Sequence, residues 1–153
     1  MSNYLALDLG TKTGFCVFKE DKGTIVPMES GTKNFNQPKN AHIGRRFVCF
    51  RDWLISVIQK HEIKGVYYEQ VYAHSGIQPA HVYGGFLYHI AAICDDFNVP
   101  MRGINVSTIK KHVTGRGQAS KLEVIETVTK YNFHPIDDNE ADAIAIMLTA
   151  SEL

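Results

Sequence analysis

The sequence predicts an α/β fold, a five-stranded mixed sheet flanked by helices, and three observations point to it. Tyr4 to Leu7 is a near-continuous apolar run that stops at Asp8 before a glycine-bounded turn. Such a run suits a strand covered on both faces, at the centre of a sheet. The first three strand-like stretches are joined by tight turns, which only antiparallel neighbours allow, whereas later ones are separated by helical stretches, as parallel crossovers require. Finally, Ser120-Lys-Leu-Glu123 and Asp137-Asp-Asn-Glu140 are capping-box signatures that open helices.

The elements follow in order. Phe15 to Phe18 and Thr24 to Ser30 are strands, with Lys19 to Gly23 as the hairpin turn between them. With the first strand they form an antiparallel meander. Asn34 to Asn40 is a polar, proline-containing loop. His42 to His61 is a helix, because Phe47, Phe50, Leu54, Val57 and Ile58 fall on one face. Ile63 to Val71 is the fourth strand, Pro79 to Phe97 a long apolar helix, and Met101 to Val106 the fifth strand. The two capping boxes then open helices ending at Tyr131 and Ala150. The order βββαβαβαα gives a mixed sheet with helices on its faces.

The chain has 153 residues and a formal charge of zero, with 16 basic and 16 acidic side chains. That length fits one domain spanning residues 1–153, with a real core. Zero net charge argues against a generally polycationic surface but allows a local basic face. Cys16, Cys49 and Cys94 are isolated in apolar contexts and read as reduced thiols of a cytoplasmic protein, not as a disulfide framework or zinc site. No apolar run is long enough to span a bilayer, and no signal-peptide pattern opens the sequence. The seven histidines have no metal-ligand spacing.

Three acids stand where acids are uncomfortable. Asp8 ends the first strand, Glu69 lies in the apolar strand Val66-Tyr-Tyr-Glu-Gln-Val71, and Asp142 lies in a helix apolar on nearly every side. Asp138 precedes Asp142 by one helical turn and shares its face. If strands one and four are neighbours, Asp8 and Glu69 come side by side and the last helix can close the site. Converging carboxylates repel one another and stay protonated unless a cation is bound. All-oxygen ligands suit Mg²⁺, with Mn²⁺ as a substitute, and such a site can hold two ions about 4 Å apart. Simpler roles compete for some of these acids. Asp137 reads as a helix cap and Glu140 as the structural partner of the capping box; Asp138 fits either a cap or a ligand.

With these residues in place the chain resembles the RuvC-type Holliday-junction resolvases of the ribonuclease H-like superfamily. Asp8-Leu-Gly-Thr-Lys-Thr-Gly14 is similar to the family's first motif, and Glu69-Gln-Val-Tyr72 to its second. The stretch from Ile109 to Lys121 is similar to the lysine- and glycine-containing segment that approaches the scissile phosphate. Asn139-Glu-Ala-Asp-Ala-Ile-Ala145 is similar to the closing helix.

The resemblance implies a ribonuclease H-like fold and a metal-dependent endodeoxyribonuclease that nicks four-way junctions in pairs, leaving 5′-phosphate and 3′-hydroxyl ends. It also implies a homodimer, which a two-fold substrate favours. Asp8, Glu69 and Asp142 fall on metal-ligand positions. The family's fourth ligand falls on Asn139, so Asp138, one residue earlier, is the nominee with Asn139 as substitute. Lys110 and Lys121 match the basic residues that hold the phosphate, and Tyr72 matches the aromatic set against bases at the junction centre. Lys111 and Arg116 are candidate DNA contacts, Arg116 because Gly115 and Gly117 flank it. Arg45-Arg46, at the start of the first long helix, reads as a solvated pair rather than a DNA contact. Ala80 to Ala92, with Gly84-Gly85, reads either as the interface helix or as a core helix pressed on the sheet by its glycines.

Three other readings share parts of this pattern. A RuvX-like nuclease acting on structured RNA has a similar Asp-Leu-Gly-Thr-Lys opening, but not the Glu-Gln-Val-aromatic motif. An actin-like nucleotide-binding protein needs two duplicated domains, for which this chain has no room. A non-catalytic protein that binds branched DNA gains nothing from unpaired buried carboxylates.

Overall fold

The computed structural model describes residues 2–131 and 133–151. Its strands are β1 (Ser2–Asp8), β2 (Lys12–Asp21), β3 (Thr24–Asn34), β4 (Ile63–Gln70) and β5 (Met101–Asn105). The helices are α1 (Arg45–His61), α2 (Ile77–Asp96), α3 (Val106–Thr114), α4 (Lys121–Lys130) and α5 (Asp138–Ala150). The sheet order is β3-β2-β1-β4-β5. β1 is central, antiparallel to β2 and parallel to β4, as its unbroken apolar run predicts. β4 and β5 are also parallel. The five-stranded mixed sheet expected from the sequence is therefore present.

Strand periodicity divides the core into two layers. Leu5 and Leu7 face α1 and α2, where they meet Phe50, Leu54, Phe86 and Ile90. Ala6 faces the other way, among Cys16, Val124, Ile144 and Ile146 of the layer built by α3, α4 and α5. Burial pushes the Cys16 thiol up to about 12, so it is an inert core thiol. Gly85 allows α2 to approach α1, since a Cβ there would lie 2.5 Å from the Phe47 ring. Gly84 next to it faces open space.

Several boundaries differ from those expected. β2 and β3 are longer on both sides of a turn in which Lys22 and Gly23 take positive φ. α1 starts at Arg45 rather than His42, and α2 starts at Ile77, with Pro79 in the first turn, where no amide proton is needed. The largest correction is α3, where the sequence pattern predicts no helix. Asn105 caps it by accepting from the Ser107 amide at 2.9 Å, and Gly115 ends it with φ of 84°. Its richness in Val, Thr and Ile masks these signals, because β-branched residues favour strands. Among the described residues, no helix is long and apolar enough to cross a membrane.

Candidate active site

The same two-residue period sets the site. Asp8 falls on the Ala6 face of β1, and Glu69 falls on the Tyr67 face of β4, both toward α5. The β1–β4 register pairs Leu7 with Tyr68, so Asp8 and Glu69 stand one step further along adjacent parallel strands. The expectation that they lie side by side is met by the register.

α5 is then fixed across them. Gly14 lies opposite Asp8 in the β1–β2 ladder. A Cβ on Gly14 would sit 1.8 Å from the Asn139 carbonyl oxygen, so only glycine lets the first turn of α5 lie on β2. Two hydroxyls of β3 complete the attachment: Thr32 donates to the Asp137 carboxylate and Ser30 to Glu140, each at 2.6 Å. Asp137 caps α5 by accepting from the Glu140 amide at 2.9 Å, and Glu140 accepts from the Ile136 amide at 2.9 Å. Glu140 is only 6% exposed. Asp137 and Glu140 thus hold the helix, as their capping pattern predicts. Gly14, Ser30 and Thr32 gave no sequence signal of this kind, because their role depends on β2 and β3 lying beneath α5.

Lys121, the first residue of α4, reaches the exposed side of the cluster. Its Nζ donates to Asp138 Oδ2 at 2.9 Å and lies 4.0 Å from Asp142 Oδ2. Asp138 and Asp142 therefore share a cation, as their common helical face requires. Asp142 is not sealed in the core, since its side chain is 20% exposed. The Lys121 partnership holds the Asp138 carboxyl below its ordinary value. The other three acids move the opposite way. Burial raises Asp8 well above its usual range, reinforced by the charges of Asp142 and Glu69. Glu69 is raised by burial and by Asp142, with Lys110 and Lys121 in opposition. Asp142 is raised by burial to about 6, against the pull of Lys121.

Such a set stores unfavourable charge that a divalent cation would relieve. Its donors are all oxygen, which fits a hard ion such as Mg²⁺ or Mn²⁺. Among the described residues, no three acidic, histidine or cysteine side chains converge on one point closely enough to hold a metal in the present arrangement. In this arrangement Lys121 is the cation nearest Asp138 and Asp142.

The other candidates surround this cluster unevenly. Lys110, on α3, is near enough to lower Glu69 and Asp142. Lys111 is exposed on the same helix. Arg116 is paired with Glu123, donating to both of its carboxylate oxygens at 3.2 Å. Tyr72 is 73% exposed in the loop after β4. That loop is anchored by Tyr83, which no motif in the sequence marks. The Tyr83 hydroxyl donates to the Glu69 carbonyl at 2.9 Å and accepts from the Val71 amide at 3.2 Å.

The chain is similar to known proteins over nearly its whole length. The family model described as crossover junction endodeoxyribonuclease RuvC matches residues 5–150. The crossover junction endodeoxyribonuclease RuvC of Halorhodospira halophila is 26% identical over 152 residues, covering 97% of this chain and 89% of the relative. Among solved structures, T. thermophilus RuvC in complex with a Holliday junction substrate superposes with a TM-score of 0.84 at 19% identity, covering 97% of this chain and 92% of that one. The yeast mitochondrial Holliday junction resolvase gives 0.69 at 13% identity, over 98% of this chain and 78% of its own. These likenesses show the ribonuclease H-like fold. With the family match spanning nearly the whole chain, the protein belongs to the RuvC family of crossover junction endodeoxyribonucleases.

Proposed function

We propose that this protein is a structure-selective endodeoxyribonuclease that resolves four-way DNA junctions by paired, symmetric nicks. The observation that carries the reading is the meeting of Asp8, Glu69 and Asp142 on one face, each with a raised carboxyl, beside Lys110 and Lys121. The chain's membership of the RuvC family supports the choice of substrate over structured RNA.

Asp8, Glu69, Asp142 and Asp138 would hold one or two Mg²⁺ or Mn²⁺ ions, with Asn139 as the substitute for Asp138. Bound there, the ions supply activation of the attacking water and neutralisation of the leaving 3′ oxygen. The protein's own groups do the rest. Lys110 and Lys121 hold the scissile phosphate and oppose the charge that grows on it as the bond to the 3′ oxygen breaks. Lys121 passes from Asp138 to that phosphate as the site loads. Tyr72, projecting from a loop tied down by Tyr83, stacks on a base opened at the junction centre. Lys111 adds a phosphate contact, and Arg116 can do so after leaving Glu123.

Two nicks need two sites, so we infer a homodimer. The outer face of α2 supports this: Ile77 and Tyr88 are 76% and 72% exposed, and Gly84 opens between them. The inner face of the same helix packs Phe86 and Ile90 into the core, and the outer face would carry the interface.

The test is nicking of a labelled junction by wild type and by Glu69→Gln. Paired nicks lost in the variant support the reading. Junction binding without nicking by wild type, with Mg²⁺ or Mn²⁺ present, makes the protein a branched-DNA-binding scaffold instead.

A further inference from the structure

A groove without carboxylates leads from the catalytic turn to the start of α1. Two adjoining cavities, of about 470 and 550 Å³, share Arg46, Gln78 and Val82 as a common wall. The inner cavity is floored by Leu9, Gly10 and Thr11, the residues that directly follow Asp8. The outer one ends at Lys39 and His42. No Asp or Glu lines either cavity. In a chain of zero net charge, that separation of charge marks a face for an anion.

Arg46 and Lys39, like most of the chain's Lys and Arg residues, have no carboxylate within ion-pair distance among the described residues. Arg46 is half-buried in the groove wall, which corrects its reading as one of a solvated pair. Arg46 and Gln78 are the second residues of α1 and α2, and neither helix has an acid in its first turn. The positive ends of two helix dipoles therefore add to the same field.

The shape decides what kind of anion fits. The cations are strung along an open trough instead of converging on one point, so the trough suits successive phosphates better than a single phosphate group. Its inner end abuts Leu9, Gly10 and Thr11, the residues that directly follow Asp8. We propose that the Arg46–Lys39 groove carries the backbone of the DNA arm adjoining the scissile phosphate, with Arg46 on a phosphate near the site and Lys39 on one further out. The proposal rests on the junction-nuclease reading and adds to it a second contact zone, on the opposite side of the catalytic turn from Lys110 and Lys121.

The test is titration of a fluorescent four-way junction across a range of salt, with wild type, Arg46→Gln, Lys39→Gln and Arg46→Lys. Each lost phosphate contact should weaken binding roughly eightfold near 0.1 M salt and make the log–log salt slope shallower by roughly 0.9. Arg46→Lys should retain most of the wild-type affinity. In nicking assays the loss should fall on the enzyme concentration giving half-maximal rate. A junction with arms cut short of the groove should reduce wild type to the level of the variants.

Lys39 is exposed on a loop, so its variant carries the test even if Arg46→Gln folds poorly. Unchanged affinity and slope in both glutamine variants, while wild type still nicks the junction, would overturn the groove and leave the nuclease reading standing. A wild type that neither binds nor nicks a junction overturns both.

Discussion

Replacing Asp142 with Asn should make the metal-free protein more stable while abolishing its nuclease activity. The Asp142 carboxyl rises from its ordinary value of 3.8 to about 6, so ionising it in the folded chain costs about 3 kcal/mol. The sign follows from linkage. The fold binds this proton more tightly than the unfolded chain does. The associated stability is thus complete below about pH 4 and is lost as pH rises through about 6. At pH 7.5 wild type has lost all of it, whereas Asn has no charge to lose. That value is already net of the pull of Lys121, whose Nζ lies 4.0 Å from Asp142 Oδ2. A gain of about 3 kcal/mol corresponds to a rise in Tm of roughly 6–12 °C for a chain of this size. Thermal unfolding in EDTA at pH 4 and pH 7.5 reads this directly. The two proteins should nearly coincide at the lower pH and separate at the higher, with Mn²⁺ raising the Tm of wild type much more than that of the variant. A variant less stable than wild type at pH 7.5 would refute the claim that the site stores unfavourable charge.

Gly14→Ala should lower stability by about 1–3 kcal/mol in urea unfolding. It should slow nicking by roughly a hundredfold, because the new methyl group displaces the α5 turn that carries Asp138 and Asp142. Lys121→Gln should reduce the maximal nicking rate by about 10²–10³-fold in single-turnover assays, and NMR titration should show the Asp138 carboxyl returning upward once its partner is gone. Tyr72→Ala should cost about 1–3 kcal/mol in junction affinity or nicking efficiency, whereas Tyr72→Phe should be nearly silent, since the ring face does the stacking.

The parts of the site that lie on strands were legible in the sequence because acids interrupt apolar runs there. Asp8 and Glu69 each break such a run, and the two-residue period then puts both toward α5 once β1 and β4 are neighbours. Asp138 and Asp142 were legible from helical spacing, and Asp137 and Glu140 from the capping box. What holds these pieces together was not legible. Gly14 against Asn139, Thr32 on Asp137 and Tyr83 on Glu69 join residues far apart in sequence, and no local pattern marks them. Lys121 was expected at a phosphate, but its reach to Asp138 depends on the start of α4 facing α5. Arg46 looked solvated because its first-turn position gives no sign that α2 lies opposite. α3 was missed where β-branched composition outweighed a good cap at each end.

The most direct test of the account is nicking of a synthetic four-way junction in Mg²⁺ or Mn²⁺, beside linear duplex and structured RNA, with wild type and Asp142→Asn in parallel. Wild type should give paired, symmetric nicks in the junction alone, leaving 5′-phosphate ends, and the variant none. Equal cutting of the RNA, or junction nicks that persist in Asp142→Asn, would contradict it.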